Sequence, residues 1–223
     1  MKSRRRSGPL AALLAPIVLV VTILSVTACG GTTAASTTVS QASGSTSATA
    51  QPANTKTYTS KTEGYSFLYP KSWEVADQAS VGVTAGGSSV SEVGVADPAG
   101  ASAGGEKIDV AIVSVYKLTA TIDASVMPDV RTEVEQVLSN IESQTPGIKT
   151  LDALSQVSFN NMLGFEVTYS FAKSGAPVTS TMYFLFSGNV EYQISAQAAD
   201  PNWAKDKPIF DAMIASFRPG PSN

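Results

Sequence analysis

The chain has 223 residues, 43% of them hydrophobic and 15% charged, with 15 Lys and Arg against 18 Asp and Glu. It contains no histidine and a single cysteine, Cys29. These counts exclude a Ser-His-Asp or Cys-His nucleophile, a zinc site of Cys and His ligands and any internal disulfide, so a folded domain here must rest on its hydrophobic core.

The opening residues, 1-MKSRRRSG-8, carry Lys2, Arg4, Arg5 and Arg6 with no acid, and residues 10–26 are then free of charge. That is the layout of an export signal. About 17 apolar residues make roughly 25 Å of helix, short of the roughly 30 Å hydrocarbon core, and Pro16 interrupts the run, so cleavage is the expected fate. Thr27 and Ala28 are small enough for a peptidase cleft, and the Cys29 thiolate is the one side chain there able to accept a lipid. The segment 26-VTACG-30 resembles a bacterial lipobox. Residues 1–28 read as a lipoprotein signal peptide and Cys29 as the acylated, palmitate-bearing N-terminus of the mature protein. A plain secretory signal or an uncleaved span are the alternatives, and each also puts the remainder outside the cytoplasm. The expected location is the outer face of the bacterial cytoplasmic membrane, attached through the lipid on Cys29.

Without the four bases ahead of Cys29 the chain keeps 11 bases against 18 acids, a formal charge of −7. An acidic domain lacks the clustered Lys and Arg that counterion release needs, so no nucleic-acid partner is expected. Anionic head groups repel it mildly, and membrane attachment would depend on the acyl chains. Residues 29–56, rich in Ser, Thr and Ala, have almost nothing to bury and read as a disordered tether with a typical reach of roughly 30 Å. Their hydroxyls offer attachment points for sugars.

Residues 57–219 read as one domain, with 220–223 as a tail. In 64-GYSFLYPKSWEVAD-77, Tyr65, Phe67 and Tyr69 share one side of a strand by the period of two, Pro70 ends the pairing, and a turn at Lys71 and Ser72 swings Trp73 back. Between Gly/Ala/Ser loops, Val90 to Asp97 is the most plausible strand of the region 79–106, whose order the pattern leaves open. The stretch 108-IDVAIVSVYKL-118 sets Ile108, Val110 and Ile112 on one face and Ala111, Val113 and Val115 on the other, the pattern of a central strand covered on both sides. In 128-PDVRTEVEQVLSNIES-143, Val130, Val134, Val137, Leu138 and Ile141 recur at helical spacing, with Pro128 in the first turn and Arg131 one turn from Glu135.

After 146-PG-147, strands are predicted at 157–159, 163–173, 177–187 and 190–198, an antiparallel meander with tight turns at Ser174-Gly175 and Gly188-Asn189. Asp200 reads as a helix cap and Pro201 as the first helical residue, with a break at Pro208 and the main helix from 208 to 216. The predicted class is α+β, an antiparallel sheet flanked by helices.

The opening 64-GYSFLYPKSWEV-75 and the closing 208-PIFDAMIASFRP-219 resemble the PsbP-like and Mog1-like group, whose members open on a "Y-S-F-x-Y-P-x-x-W" type strand and close on a helix ending in "S-F". The strand and turn 93-VGVADP-98 also matches their pattern. The resemblance implies an α/β/α sandwich, and small binding or assembly proteins rather than catalysts. It transfers no partner, and the absence of histidine counts against an inherited transition-metal role. It is similar above all to bacterial envelope lipoproteins with this domain.

The residues themselves carry no catalytic motif. The carboxylate pairs Glu92 with Asp97 and Asp152 with Glu166 have nothing built around them and read as solvated acids. Ser114 and Lys117 have the Ser-x-x-Lys spacing, but on a strand that spacing points the two apart. No cofactor is implied. Two functions remain: a non-catalytic binding or assembly module of the cell envelope with a protein partner, or a carrier or sensor of a small apolar or cationic ligand. The second would use a pocket between sheet and helices lined by Tyr65, Trp73, Tyr183 and Trp203, residues that otherwise belong to an ordinary core.

Overall fold

The computed structural model describes residues 54–76 and 91–221. The leader, Cys29, the tether as far as residue 53 and residues 77–90 lie outside them. In chain order the described residues form β1 (Thr55–Thr59), β2 (Ser66–Pro70), β3 (Glu74–Ala76), β4 (Ser91–Ala96), β5 (Ser102–Ala103), β6 (Glu106–Lys107), β7 (Val110–Ile122) and α1 (Met127–Gln144). They continue with β8 (Lys149–Phe159), β9 (Met162–Lys173), β10 (Ala176–Ala199) and α2 (Asp200–Ser216). One sheet runs in the order β3-β4-β7-β10-β9-β8, with every neighbouring pair antiparallel.

β10 contributes two legs to that sheet. Ala176–Phe186 pairs with β9, and Gly188–Gln197 pairs with β7. A straight strand would separate Ser180 and Ser195 by about 50 Å, yet their hydroxyl oxygens lie 3.2 Å apart. The chain therefore doubles back about Gly188, whose φ of +60° suits a residue without Cβ. The two predicted strands 177–187 and 190–198 are these legs. The neighbouring hairpins turn on Asn160-Asn161 and Ser174-Gly175, with φ of 49° and 66°, and 49° and 82°. Positive φ at both central residues gives the hand of turn that matches strand twist.

Side chains alternate across the sheet as the period of two requires. Tyr183, Leu185, Tyr192 and Ile194 meet Phe210, Met213, Ile214 and Phe217 of α2, together with Tyr65, Phe67, Tyr69 and Trp73. Phe165, Val167, Met182, Phe184 and Phe186 point to the opposite face, where Met127, Val130 and Val134 of α1 cover them. This is the α+β sandwich expected, with helices on both faces of an antiparallel sheet.

The structure departs from the sequence reading in three elements, the first being β1, which takes in Thr55 and Lys56 of the stretch read as tether. β8 begins eight residues earlier than the predicted 157–159, because it is the edge strand and its exposed residues show no apolar alternation. α2 is unbroken from Asp200 to Ser216 with Pro208 inside it, and Ala199 rather than Asp200 is the N-cap. Pro208 removes one hydrogen bond, but the helix is held on both sides of it: Trp203 packs 6.0 Å from Phe210 across the proline. Asp200 instead accepts a hydrogen bond from the Thr179 hydroxyl at 2.8 Å.

The two ends of the domain are joined. Ser66 N–H donates to Arg218 O at 3.0 Å and Arg218 N–H to Ser66 O at 2.8 Å. Asn160 Nδ2 donates to Phe217 O at 2.7 Å, and Gly220 N–H donates to the Tyr192 hydroxyl at 3.0 Å. A Cβ at Gly220 would lie 1.8 Å from Glu63 O, so the packed chain reaches Gly220 and admits only glycine there.

Candidate functional site

Of the four aromatic residues singled out in the sequence, Tyr65, Trp73 and Tyr183 face α2 and Trp203 stands on it, and all four pack in one core cluster. Tyr65 is fully buried and stacks on Phe217 at 5.5 Å. Trp73 meets Phe210 edge-on at 5.5 Å, while the half-buried Trp203 approaches the same ring. Tyr183 meets Phe159 edge-on at 6.1 Å. Burial drives the Tyr65 and Tyr183 phenols far above the usual tyrosine range. A void of about 10 Å³ between sheet and α2 is lined by Phe67, Ile194, Phe210 and Phe217 among others, and by none of the four. That is at the limit of a single water molecule.

A larger space lies on the other face. A recess of about 210 Å³ opens between α1 and β8. Its floor is Val167 and Tyr169 of β9, and its walls are Leu138 and Ile141 of α1 with Ile148 and Leu154. Glu135, Ser139, Glu142 and Thr150 stand at the rim. The recess exceeds the roughly 150 Å³ of a dry apolar cavity that takes benzene.

Local structure explains the gap. The pairing of β8 with β9 shifts register between Thr150 and Asp152 and again between Asp152 and Ser155, so the strand bulges beside the recess. Two polar links span the gap. The Arg131 guanidinium donates to Leu154 O at 3.1 Å and to Glu135 at 2.8 Å. The Thr150 hydroxyl donates to Glu142 at 2.8 Å. Tyr169 is pushed up to about 12 by burial, partly offset by its hydrogen bond with Ser180, and so stays a neutral phenol.

Other polar groups are structural or isolated. Glu191 is 1% exposed, and burial raises its carboxyl from 4.5 to about 7 against a hydrogen bond donated by Gln193 at 2.9 Å. Ser114 donates to Glu92 at 2.7 Å, whereas Lys117 pairs with Glu63 at 2.7 Å, so the Ser-x-x-Lys pair points apart as its strand predicts. Asp152 and Glu166 are not register partners; they oppose Thr168 and Ser155. Asp109, which the sequence did not single out, is fully buried and accepts from Ala199 N–H, Ala101 N–H and Asn202 Nδ2 at 2.9, 2.8 and 2.6 Å. It fastens the start of α2 to the loop before β5. Among the described residues, no group of three or more carboxylates is arranged to hold a metal ion, and no helix is long and apolar enough to cross a membrane.

An antiparallel sheet with helices on both faces, opened by an aromatic hairpin and closed by a helix ending in Ser216-Phe217, defines an α/β/α module. The chain belongs to the PsbP-like protein family, whose model matches residues 12–218. Among solved structures, it is similar to the cyanobacterial PsbP, CyanoP, of Synechocystis sp. PCC 6803, with 15% identity and a TM-score of 0.51 over 75% of this chain and 94% of that one. It is likewise similar to LpqN of Mycobacterium tuberculosis, described as involved in cell envelope biogenesis, with 13% identity and a TM-score of 0.52 over 75% of this chain and 92% of that one. No curated protein matches the chain by sequence.

Proposed function

We propose that this protein is a non-catalytic binding or assembly module of the bacterial cell envelope, held at the outer face of the cytoplasmic membrane by a lipid on Cys29. The observation that carries the binding role is the recess between α1 and β8, an open and mainly apolar site of about 210 Å³. The anchor rests on the lipobox-like 26-VTACG-30 behind a basic, then apolar, leader. A fold shared with an envelope-biogenesis protein is consistent with that location.

The test is cross-linking of the full chain in its native membrane, recovery by a C-terminal tag, and intact mass of the product. A diacylglyceryl-bearing Cys29 and a reproducible partner, both lost in Cys29→Ala, are the expected outcome. A mature mass beginning elsewhere, with no lipid, would sink the anchor. The same recess also favours a second reading, a carrier or sensor of a small apolar or cationic ligand seated under α1 rather than among Tyr65, Trp73, Tyr183 and Trp203. A small molecule that remains bound through gentle purification would select it.

A further inference from the structure

We propose that the α1–β8 groove docks an extended peptide segment of a partner protein, with one bulky apolar side chain in the recess and basic residues on either side of it. This rests on the binding-module reading and adds the chemistry of the partner.

Three observations meet at one place. First, the recess is about 210 Å³ and mainly aliphatic, room for one large side chain rather than for an extended surface. Second, β8 is the terminal strand of the sheet, and among the described residues no strand pairs with its outer edge. Leu151, 54% exposed, stands in it. An edge strand beside a helix with an apolar pocket between them is the geometry that takes a peptide by strand addition: main-chain hydrogen bonds supply affinity and the pocket supplies selection. Ser155–Phe159, the stretch regularly paired to β9, is the part of the edge able to template that pairing. The bulge at 150–155 interrupts the edge elsewhere and works against continuous pairing of two copies of the protein.

The third observation is charge. Glu135 and Glu142 stand at the rim of the recess, and the exposed Asp152 lies beside its lining residue Ala153, against Arg131 and Lys149 on the same elements. Arg131 is already committed to Glu135 and Leu154 O. The groove therefore offers a negative rim around an apolar hole, which a segment carrying Lys or Arg beside a Phe, Leu or Met complements. Like charge on a peptide would be rejected by the same rim.

The test uses the purified full chain and a random peptide library displayed on phage. Expected is enrichment of sequences with one large apolar residue flanked by Lys or Arg. A synthetic peptide of that consensus should shift backbone amide signals of residues 149–159 and of α1, and bind about tenfold more weakly when its Lys are replaced by Glu. Ala153→Trp, at an exposed position at the mouth of the recess, should cut its affinity about tenfold or more. Leu138→Trp fills the recess from the helix side and should act in the same direction; melting curves identify any variant that has not folded. Enrichment that survives both folded Trp variants, or no enrichment at all, overturns the proposal. So does binding confined to a small apolar probe such as anilinonaphthalene sulfonate. None of these outcomes touches Cys29, and a membrane partner captured equally by wild type and Ala153→Trp would leave the binding-module reading standing while removing this site from it.

Discussion

The two faces of the sheet solve the same problem differently. The α2 face is aromatic: Tyr65, Phe67, Trp73, Tyr192, Phe210 and Phe217 interlock, and the void beside Phe67, Phe210 and Phe217 is about 10 Å³. The α1 face mixes aliphatic residues and Phe under an amphipathic helix and keeps about 210 Å³ open at one end. Interlocked rings leave little room for adjustment, whereas a helix resting on smaller side chains beside a bulged edge strand has space beneath it. Stability and accessible surface are thus assigned to opposite sides of one sheet.

The largest test of that division is Phe210→Ala. Phe210 carries both Trp73 and Trp203, so its loss should cost about 3–5 kcal/mol in denaturant unfolding; a cost below about 1 kcal/mol would show that the α2 face is not the stabilising one. Glu191→Gln comes next and bears on the α1 side of the sheet. Its carboxyl is held near 7 in the fold against an ordinary 4.5, so the folded state binds the extra proton. Wild-type stability should fall as pH rises from about 4.5 to about 7, by about 3 kcal/mol at most, and level off above. The glutamine variant keeps an acceptor for Gln193 and should gain that amount at pH 8 with nothing gained at pH 4; unfolding curves at the two pH values decide it.

Smaller effects are expected where the recess already exists. Leu138→Ala removes a half-buried wall residue and should cost about 1 kcal/mol, well under the Phe210 truncation. An equal cost would mean that α1 is packed as tightly as α2. Arg131→Ala removes an exposed i,i+4 pair and one link to Leu154 O. It should change stability by about 0.5 kcal/mol or less, while hydrogen exchange of Leu154 and its neighbours speeds up if that link holds the bulge in place.

Much of the α2 face was legible in the sequence. Tyr65, Phe67 and Tyr69 alternate, Pro70 stops them, and the turn that returns Trp73 closes with Trp73 N–H donating to Pro70 O at 3.0 Å. The two-faced character of Val110 to Val115 showed the central strand, and Ser174-Gly175 showed the turn between β9 and β10. Less was legible on the other side. The residues from Lys149 to Gln156 lack alternation because an edge strand with one exposed side gives little penalty for polar residues, so β8 was read as three residues instead of eleven. The aromatic residues of the α2 face are conspicuous in the sequence because they are large and apolar, the property that buries them. A recess comes from side chains that fail to meet, and Leu138, Ile141 and Leu154 would read identically in a filled core. Asp109 was equally silent: its role depends on Ala199 and Asn202, about 90 residues away in the chain.

The union of Ser66 with Arg218 has a consequence for the order of assembly. Synthesis proceeds from the N-terminus, yet Tyr65 and Phe67 find Phe217, and β2 finds its bridge, only when the last residues of the domain emerge. The aromatic core closes like a clasp once Phe217 and Arg218 have emerged. For a chain exported as proposed, that delay favours passage before the fold can lock, and a ribosome stalled before Phe217 would leave the opening hairpin without the partners that hold it.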